Sequence, residues 1–285
     1  MSYTREKQLE NWQAVEVSPT HTGDVCLNAG QPAQQRRDRE GAHLPQPTTL
    51  TYNGTASEWI AANLQLTPDR LQAEALDATE DRVLLLCTRQ WGKSTIAAAK
   101  ALHHALTTKN AFIIFASACK RQSKELARKC KEFAAQLGLK AEPDGEGFTL
   151  PNGARIIPVP QNPEKVRCYS APSLIIIDES AYVKDEMFQT VTPMLATSNG
   201  TLWIMSTAGP QRGFFYKTWL NRPEDWKIVK ATADDCPRIS VKFLARERVA
   251  MGQTVFSREY LCEFVAGHQQ LVSQEDADAI FDTDF

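Results

Sequence analysis

The stretch from Cys87 to Thr95 constrains the fold of this chain more than any other part of the sequence. It reads Cys-Thr-Arg-Gln-Trp-Gly-Lys-Ser-Thr, directly after the apolar residues 83–86 and directly before the alanine-rich residues 96–99. An apolar run, a polar turn that ends in Gly-Lys-Ser and a run of helix formers are typical of a strand, a loop and a helix in succession. In that context a Gly-Lys-Ser match indicates a phosphate-binding loop.

A loop of this kind predicts an ATP site. Its backbone N–H groups point inward, and the N-terminus of the following helix carries partial positive charge, so that together they hold a polyphosphate. We expect Lys93 to reach the outer phosphates and the Ser94 hydroxyl to bind Mg²⁺. The predicted nucleotide-binding residues of the loop are Thr88, Arg89, Gln90, Trp91, Gly92, Lys93, Ser94 and Thr95.

The loop departs from the usual pattern at one position, because that pattern has glycine where this chain has Cys87. A side chain there should restrict the backbone, since only glycine takes a positive φ without penalty. We expect Cys87 to pack as a small buried residue. The alternative interpretation, a chance Gly-Lys-Ser at an ordinary helix start, is disfavoured by the flanking strand and helix.

Composition limits the class of protein and its partners. The formal net charge is −2, so a nucleic acid would have to be bound by a local basic patch. The seven cysteines include no C-x-x-C pair and no zinc spacing, which suits a reducing cytoplasm. The sequence shows neither an apolar run long enough to cross a bilayer nor a signal-peptide core, so we predict a cytoplasmic protein without a membrane partner.

The order of segments predicts one folded domain between two less regular ends. Residues 1–55 are rich in Pro, Gln and charge without a period, which predicts a largely disordered arm. Residues 56–266 are predicted to form the ATPase domain, beginning with a helix capped by Ser57 and a second helix capped by Thr67 with Pro68 in its first position. Residues 267–285 are predicted to be an acidic tail.

Apolar strands that alternate with helices predict the fold class. The strands are predicted at 83–86, 111–116, 174–177, 200–205 and 226–230, with a hairpin around 151–153, and the main helices at 93–106, 120–137, 241–251 and 254–264. Continuous apolar strands of this kind favour a parallel sheet covered on both faces. We predict an α/β fold, a P-loop NTPase of the ASCE type with a mostly parallel central sheet flanked by helices.

Polar residues at two further strand ends are candidates for catalysis. Asp178 follows an aliphatic strand and suits the carboxylate that supports Mg²⁺ in P-loop ATPases, while Glu179 suits the group that orients and deprotonates the attacking water. Ser206 and Thr207 end another strand and are candidates for sensing the γ-phosphate. The alternatives are an aspartate that caps the next helix and ordinary turn residues.

Two more candidates lie within and before the loop. Arg89 is predicted to stabilise charge that develops on the γ-phosphoryl group, with a structural ion pair to a nearby acid as the alternative. Gln72 lies on the predicted second helix, where its amide offers the donor and acceptor that match an adenine edge. A surface glutamine is the alternative for Gln72.

The predicted helix at 120–137 carries the densest run of basic residues in the chain. Phosphate attraction makes it a candidate surface for DNA, although a solvated helix face would give the same pattern. The candidate DNA-binding residues are Lys120, Arg121, Lys124, Arg128 and Lys131.

As a set, these motifs resemble the ATPase half of a tailed-phage terminase large subunit. The loop at 88–94, the aliphatic-Asp-Glu strand end, the segment around Gln72 and the segments 213–219 and 256–264 carry the resemblance. It implies a coupling motif at Ser206, Thr207 and Ala208, with Lys93, Arg89 and Glu179 as the catalytic residues. It also implies ATP hydrolysis that drives double-stranded DNA into a procapsid in the host cytoplasm. The implied partners are the portal protein and the terminase small subunit, with the chain as a homo-oligomeric ring on the portal.

Two other functions remain compatible with the same residues. A helicase-like DNA-dependent ATPase shares the glutamine and the Asp-Glu pair. A nucleotide-binding assembly scaffold needs neither Glu179 nor Arg89. Members of the resembled family usually continue into a nuclease domain, and the acidic residues 267–285 cannot form one without strands, so we expect no nuclease activity from this chain.

Overall fold

The predicted apolar strands lie side by side in one eight-stranded sheet. The structure is a computed structural model that describes residues 54–265. The predicted acidic tail, and all but the last residues of the predicted N-terminal arm, lie outside the described residues.

The helices and strands have the following bounds. The strands are β1 Arg82–Cys87, β2 Phe112–Ser117, β3 Glu142–Asp144, β4 Gly147–Thr149, β5 Arg155–Pro158, β6 Leu174–Asp178, β7 Thr201–Ser206 and β8 Trp226–Ala231. The helices are α1 Ala56–Leu64, α2 Arg70–Leu76, α3 Lys93–Thr107, α4 Lys120–Gln136, α5 Pro163–Val166, α6 Asp185–Val191, α7 Gly213–Asn221 and α8 Val241–Tyr260.

The strand order places the candidate residues together at the carboxyl ends of neighbouring strands. The order is β3-β4-β5-β2-β6-β7-β1-β8, and all pairs from β5 to β8 are parallel. Among the described residues, the antiparallel pairs are β3 with β4 and β4 with β5, and the second of these is the hairpin predicted around residues 151–153. The strand β7 lies between β1, which leads into the phosphate loop, and β6, which ends in Asp178. This arrangement confirms the predicted mostly parallel sheet.

Helices cover both faces of this sheet. Alternate side chains of β1 point to opposite faces, so that Val83 and Leu85 pack in one core while Leu84 and Leu86 pack in the other. The first core lies under α1 to α4, and the second under α5, α6 and α7. Burial on both faces explains why the central strands are apolar throughout rather than alternating with polar residues.

The first two helices begin elsewhere than predicted. Thr55 caps α1, and Ser57 instead donates from Oγ to Asp77 Oδ2 at 2.6 Å. Asp69 caps α2, so the prediction of Thr67 and Pro68 was wrong. The reason is a reciprocal capping box: Gln72 N donates to Asp69 Oδ1 at 2.9 Å and Asp69 N donates to Gln72 Oε1 at 3.0 Å.

Several other bounds differ from the sequence-based prediction. The strand β3 and the helices α5 and α7 were not predicted, and the last helix ends at Tyr260 rather than at residue 264. The predicted break between the last two helices is confirmed as a kink at Gly252, whose φ of 74° and ψ of 166° are available to glycine almost alone. Within residues 54–265, no helix has the length and apolar character needed to cross a membrane.

Candidate functional site

The phosphate loop connects β1 to α3 and takes two left-handed backbone conformations. Gln90 has a φ of 62° and Gly92 a φ of 98°. The positive φ favours glycine at position 92, and a Cβ there would also lie only 3.1 Å from Gln72 Nε2.

The position of Cys87 at the end of β1 explains why the loop tolerates a residue other than glycine there. It is the last residue of β1, pairs with Ala231 of β8 and is fully buried, as expected for a small packed residue. Extended strand backbone accepts any residue, so the expected restriction at this position does not arise. Burial raises the pKa of the Cys87 thiol well above its ordinary value, which keeps the thiol neutral beside the loop.

Three strand ends bring the candidate catalytic residues together. Lys93 Nζ lies 2.9 Å from Glu179 Oε1, and Ser206 Oγ donates to Glu179 Oε2 at 3.2 Å. Ser94 Oγ donates to Asp178 Oδ2 at 3.4 Å. Residues that are 84 positions apart in the chain therefore lie in one cluster.

Glu179 has an unusual backbone conformation for its residue type. Its φ is 51°, in the left-handed region, and its N–H donates to Asp178 Oδ1 at 2.9 Å. Such a conformation costs a non-glycine residue about 1–3 kcal/mol, and residues of this kind concentrate at functional sites. The turn places the Glu179 carboxylate between Lys93 and Ser206.

The charges of the cluster depend on one another. Burial raises the pKa of Asp178 to about 6, against the opposing effect of the nearby Lys93 ammonium. Burial alone would lower the pKa of Lys93, but the carboxylates of Glu179 and Asp178 outweigh it, and the net shift is upward. Lys93 is therefore charged at neutral pH.

The donor set around Ser94 and Asp178 fits Mg²⁺ shared with a polyphosphate. A hydroxyl and a carboxylate oxygen are the hard ligands that Mg²⁺ prefers. In the part of the chain that the structure describes, no three His, Cys, Asp or Glu residues form a metal cage.

Arg89 forms an ion pair with a nearby acid, which was the alternative to a role at the γ-phosphate. Its Nε lies 2.8 Å from Glu259 Oε2, while Arg89 N and Thr88 Oγ1 both donate to the Glu259 carbonyl, at 3.1 and 3.2 Å. The end of α8 thus holds the phosphate loop. Sequence reasoning missed Glu259, although it lies in the segment 256–264 that carries part of the family resemblance.

Gln72 is buried and its amide is already engaged. Its oxygen accepts from Asp69 N, and its Nε2 donates to the Trp91 carbonyl at 2.7 Å, which leaves a second N–H. Arg238, which the sequence analysis did not identify, donates from Nη2 to the same carbonyl at 2.7 Å and to Asp69 at 3.0 Å. These side chains border a cavity of about 290 Å³ beside the loop, which is lined also by Leu66, Thr67, Pro68, Gly92, Thr95 and Ile96.

The remaining predicted residues divide into buried and exposed groups. Thr207 and Ala208 are buried, and Ala208 packs in the second core. On α4, Lys120 and Lys124 pair with Glu146, and Arg128 pairs with Glu125 and Glu132.

Comparison with known proteins identifies the family. The family model for the "Terminase large subunit, T4likevirus-type, N-terminal" matches residues 84–284, more than half of the chain. The chain belongs to this terminase family. No curated protein sequence matches it.

Solved terminase structures share the fold. The chain is similar to the large terminase ATPase domain of Thermus phage P74-26, with a TM-score of 0.66 and 16% identity over 75% of this chain and 100% of that one. It is also similar to the large terminase of thermophilic bacteriophage D6E in complex with ATP-gamma-S, with a TM-score of 0.58, 12% identity and 69% of this chain covered. The match to the large terminase of bacteriophage HK97 has a TM-score of 0.57, 17% identity and the same coverage of this chain.

The extent of these matches differs. The chain covers 53% of the D6E terminase and 50% of the HK97 terminase, so it spans about half the length of those proteins. The similarity shows that the matched part of this chain has the α/β fold of P-loop ATPase domains, as the sequence predicted.

Proposed function

We propose that this terminase chain hydrolyses ATP with Mg²⁺ and that hydrolysis drives double-stranded DNA into a procapsid. The observation that carries the proposal is the position of Glu179, whose two carboxylate oxygens contact Lys93 and Ser206 beside Asp178. A protein that only binds nucleotide has no need of a carboxylate in this place.

Lys93 and Glu179 have linked roles in the proposed reaction. Lys93 binds the outer phosphates and, in doing so, exchanges its contact with Glu179 for one with phosphate oxygen. The released Glu179 carboxylate then accepts a proton from the attacking water, while the Ser206 hydroxyl keeps it oriented. Ser94 and Asp178 would hold Mg²⁺, which would supply positive charge next to the phosphate oxygens.

Arg89 is proposed to stabilise charge on the γ-phosphoryl group. Its side chain is 65% exposed, so its ion pair with Glu259 is a weak one that a phosphate can replace. We propose that Gln72 and the cavity beside it hold the adenine base, since the cavity lies next to Gly92 and Thr95 of the loop.

The partners follow from the family. Large terminases are the relatives that share this fold, and the exposed basic side chains of α4 offer a surface for DNA phosphates. We propose double-stranded DNA, the portal protein and the terminase small subunit as partners, and a homo-oligomeric ring on the portal as the working assembly.

The proposal is tested by the rate of ATP hydrolysis with and without double-stranded DNA. We expect Lys93→Ala and Glu179→Gln each to lower kcat by about 10²–10⁴, because one loses a phosphate contact and the other the proton acceptor. Lys109→Ala, at an exposed position outside the site, is the control and should leave the rate unchanged. Equal rates in all four proteins would refute the assignment.

A strand-separation assay and a nucleotide titration, added to the rate measurement, separate the two alternative functions. A helicase-like ATPase would separate the strands of a duplex during hydrolysis, whereas a packaging motor moves along an intact duplex. Nucleotide binding without turnover, even with DNA present, would favour a scaffold.

A further inference from the structure

Lys129 differs from the other basic residues of α4 in the direction of its side chain. Its Nζ donates to Thr95 Oγ1 at 3.3 Å, and the residue is partly buried where α4 packs along α3. Between residues 54 and 265, no carboxylate lies within 4.0 Å of this ammonium group. A partly buried cation that contacts only a neutral hydroxyl is available to an anion.

Thr95 lies between the two ends of the candidate nucleotide site. It follows Lys93 and Ser94 in the first turn of α3, on the side of the outer phosphates and the magnesium ligands. It also lines the cavity that Gln72 and Arg238 border, on the side proposed for the base. The ribose and the innermost phosphate of a nucleotide join these two sides, and of the two only the phosphate is an anion.

We propose that Lys129 binds the α-phosphate of the nucleotide. The inference rests on the proposed function, which places a nucleotide along the loop, and it adds a ligand from a helix outside the loop. An ammonium group beside Thr95 forms a charge-assisted hydrogen bond to phosphate oxygen in place of its bond to the hydroxyl. Because every adenine nucleotide carries the α-phosphate, the contact should serve ADP and ATP alike.

Calorimetric titration of the wild-type chain with Mg-ADP and Mg-ATP-γ-S tests this assignment. In Lys129→Met we expect Kd to rise about tenfold for both nucleotides and by the same factor, the size of one lost charge-assisted hydrogen bond. Lys140→Met removes the same charge from an exposed position just beyond the end of α4 and should leave both constants unchanged. Lys129→Arg keeps the charge and should retain most of the affinity.

Several results would overturn the proposal. Unchanged affinity in Lys129→Met, or a loss confined to Mg-ATP-γ-S, would place Lys129 away from the α-phosphate. A lower melting temperature of Lys129→Met without a change in Kd would assign it a structural role instead. If Lys129→Met does not fold, Lys129→Arg and Lys129→Gln can be compared instead. Equal nucleotide affinities of these two variants would then overturn the proposal.

The test also separates this inference from the function on which it depends. A wild-type chain that binds neither nucleotide would overturn both. A wild-type chain that binds and hydrolyses ATP, with Lys129→Met binding equally well, would overturn only the role of Lys129.

Discussion

At the scale of single residues, the contact between Lys93 and Glu179 joins the group proposed to bind phosphate to the group proposed to activate water. The pair is mostly buried, with 15% and 21% of the two side chains exposed. A nucleotide must compete with Glu179 for the Lys93 ammonium, so part of its binding free energy is used to separate the pair. In the proposed function, the same separation would free the carboxylate for catalysis and so link occupancy of the site to its activation.

This competition predicts an effect on affinity opposite to the effect on rate. Glu179→Gln removes the carboxylate that competes for Lys93, so we expect the Kd of Mg-ATP-γ-S to fall about five- to tenfold, the equivalent of about 1 kcal/mol. Titration calorimetry measures the change, and Glu186→Gln on the exposed side of α6 is the matched control. A Kd that rises or stays the same in Glu179→Gln would show that the ion pair does not oppose binding.

At the scale of single elements, α4 presents opposite faces to the core and to solvent. Its buried residues Leu126, Ala127, Cys130, Phe133 and Ala134 recur at helical spacing and pack towards the first core. Most of its exposed cations already have carboxylate partners. Solvent screens exposed pairs of this kind and leaves them weak, so a DNA phosphate can replace the carboxylate.

Two cations of α4 should report on DNA most directly. Arg121 and Lys131 are exposed, and among the described residues neither has a carboxylate within 4.0 Å. We expect Arg121→Glu with Lys131→Glu to weaken binding of double-stranded DNA and to reduce its salt slope by about 0.9 for each lost phosphate contact. Lys109→Glu with Lys242→Glu changes the net charge equally and is the control. If only the net charge matters, the two double variants will bind DNA alike.

At the scale of the whole molecule, two histidines of α3 tie separate parts of the fold together. The ring of His103 packs against Trp59 of α1 at 5.3 Å, and His104 Nε2 lies 2.9 Å from Ser173 Oγ beside β6. Burial, with the nearby charge of Lys100 added, lowers the pKa of each histidine to about 4. Both are therefore neutral in the folded protein at neutral pH.

The lowered pKa values predict acid sensitivity of the fold. Between pH 6.5 and about 4 the unfolded chain binds protons at these histidines and the folded chain does not, so their contribution is full above pH 6.5 and is lost as the pH falls. Each should reduce the free energy of unfolding by up to about 1.4 kcal/mol per pH unit in this range. Chemical denaturation at pH 6 and pH 5 measures the slope. His103→Gln with His104→Gln should have a shallower slope, and an identical slope would exclude these groups as its source.

Much of the framework could be predicted from sequence because it depends on short-range pattern. The apolar runs around Leu85, Ile114, Ile176 and Ile204 are buried on both faces of the sheet, and burial of that kind leaves a continuous apolar stretch in the sequence. The helix starts were predicted less well. Thr67 and Asp69 are both acceptable caps by residue type, and only the side chain of Gln72, folded back to Asp69, decided between them.

The sequence by itself determined the phosphate loop, the strands around it and the carboxylates at the strand ends, since each is defined by neighbouring residues. Only the tertiary structure decided which side chains meet. The pairing of β7 between β1 and β6 brings Ser206 to Glu179, the end of α8 brings Glu259 to Arg89, and the packing of α4 on α3 brings Lys129 to Thr95. These contacts join residues from 27 to more than 100 positions apart. Their formation depends on how the whole sheet and its helices pack, which no local pattern records.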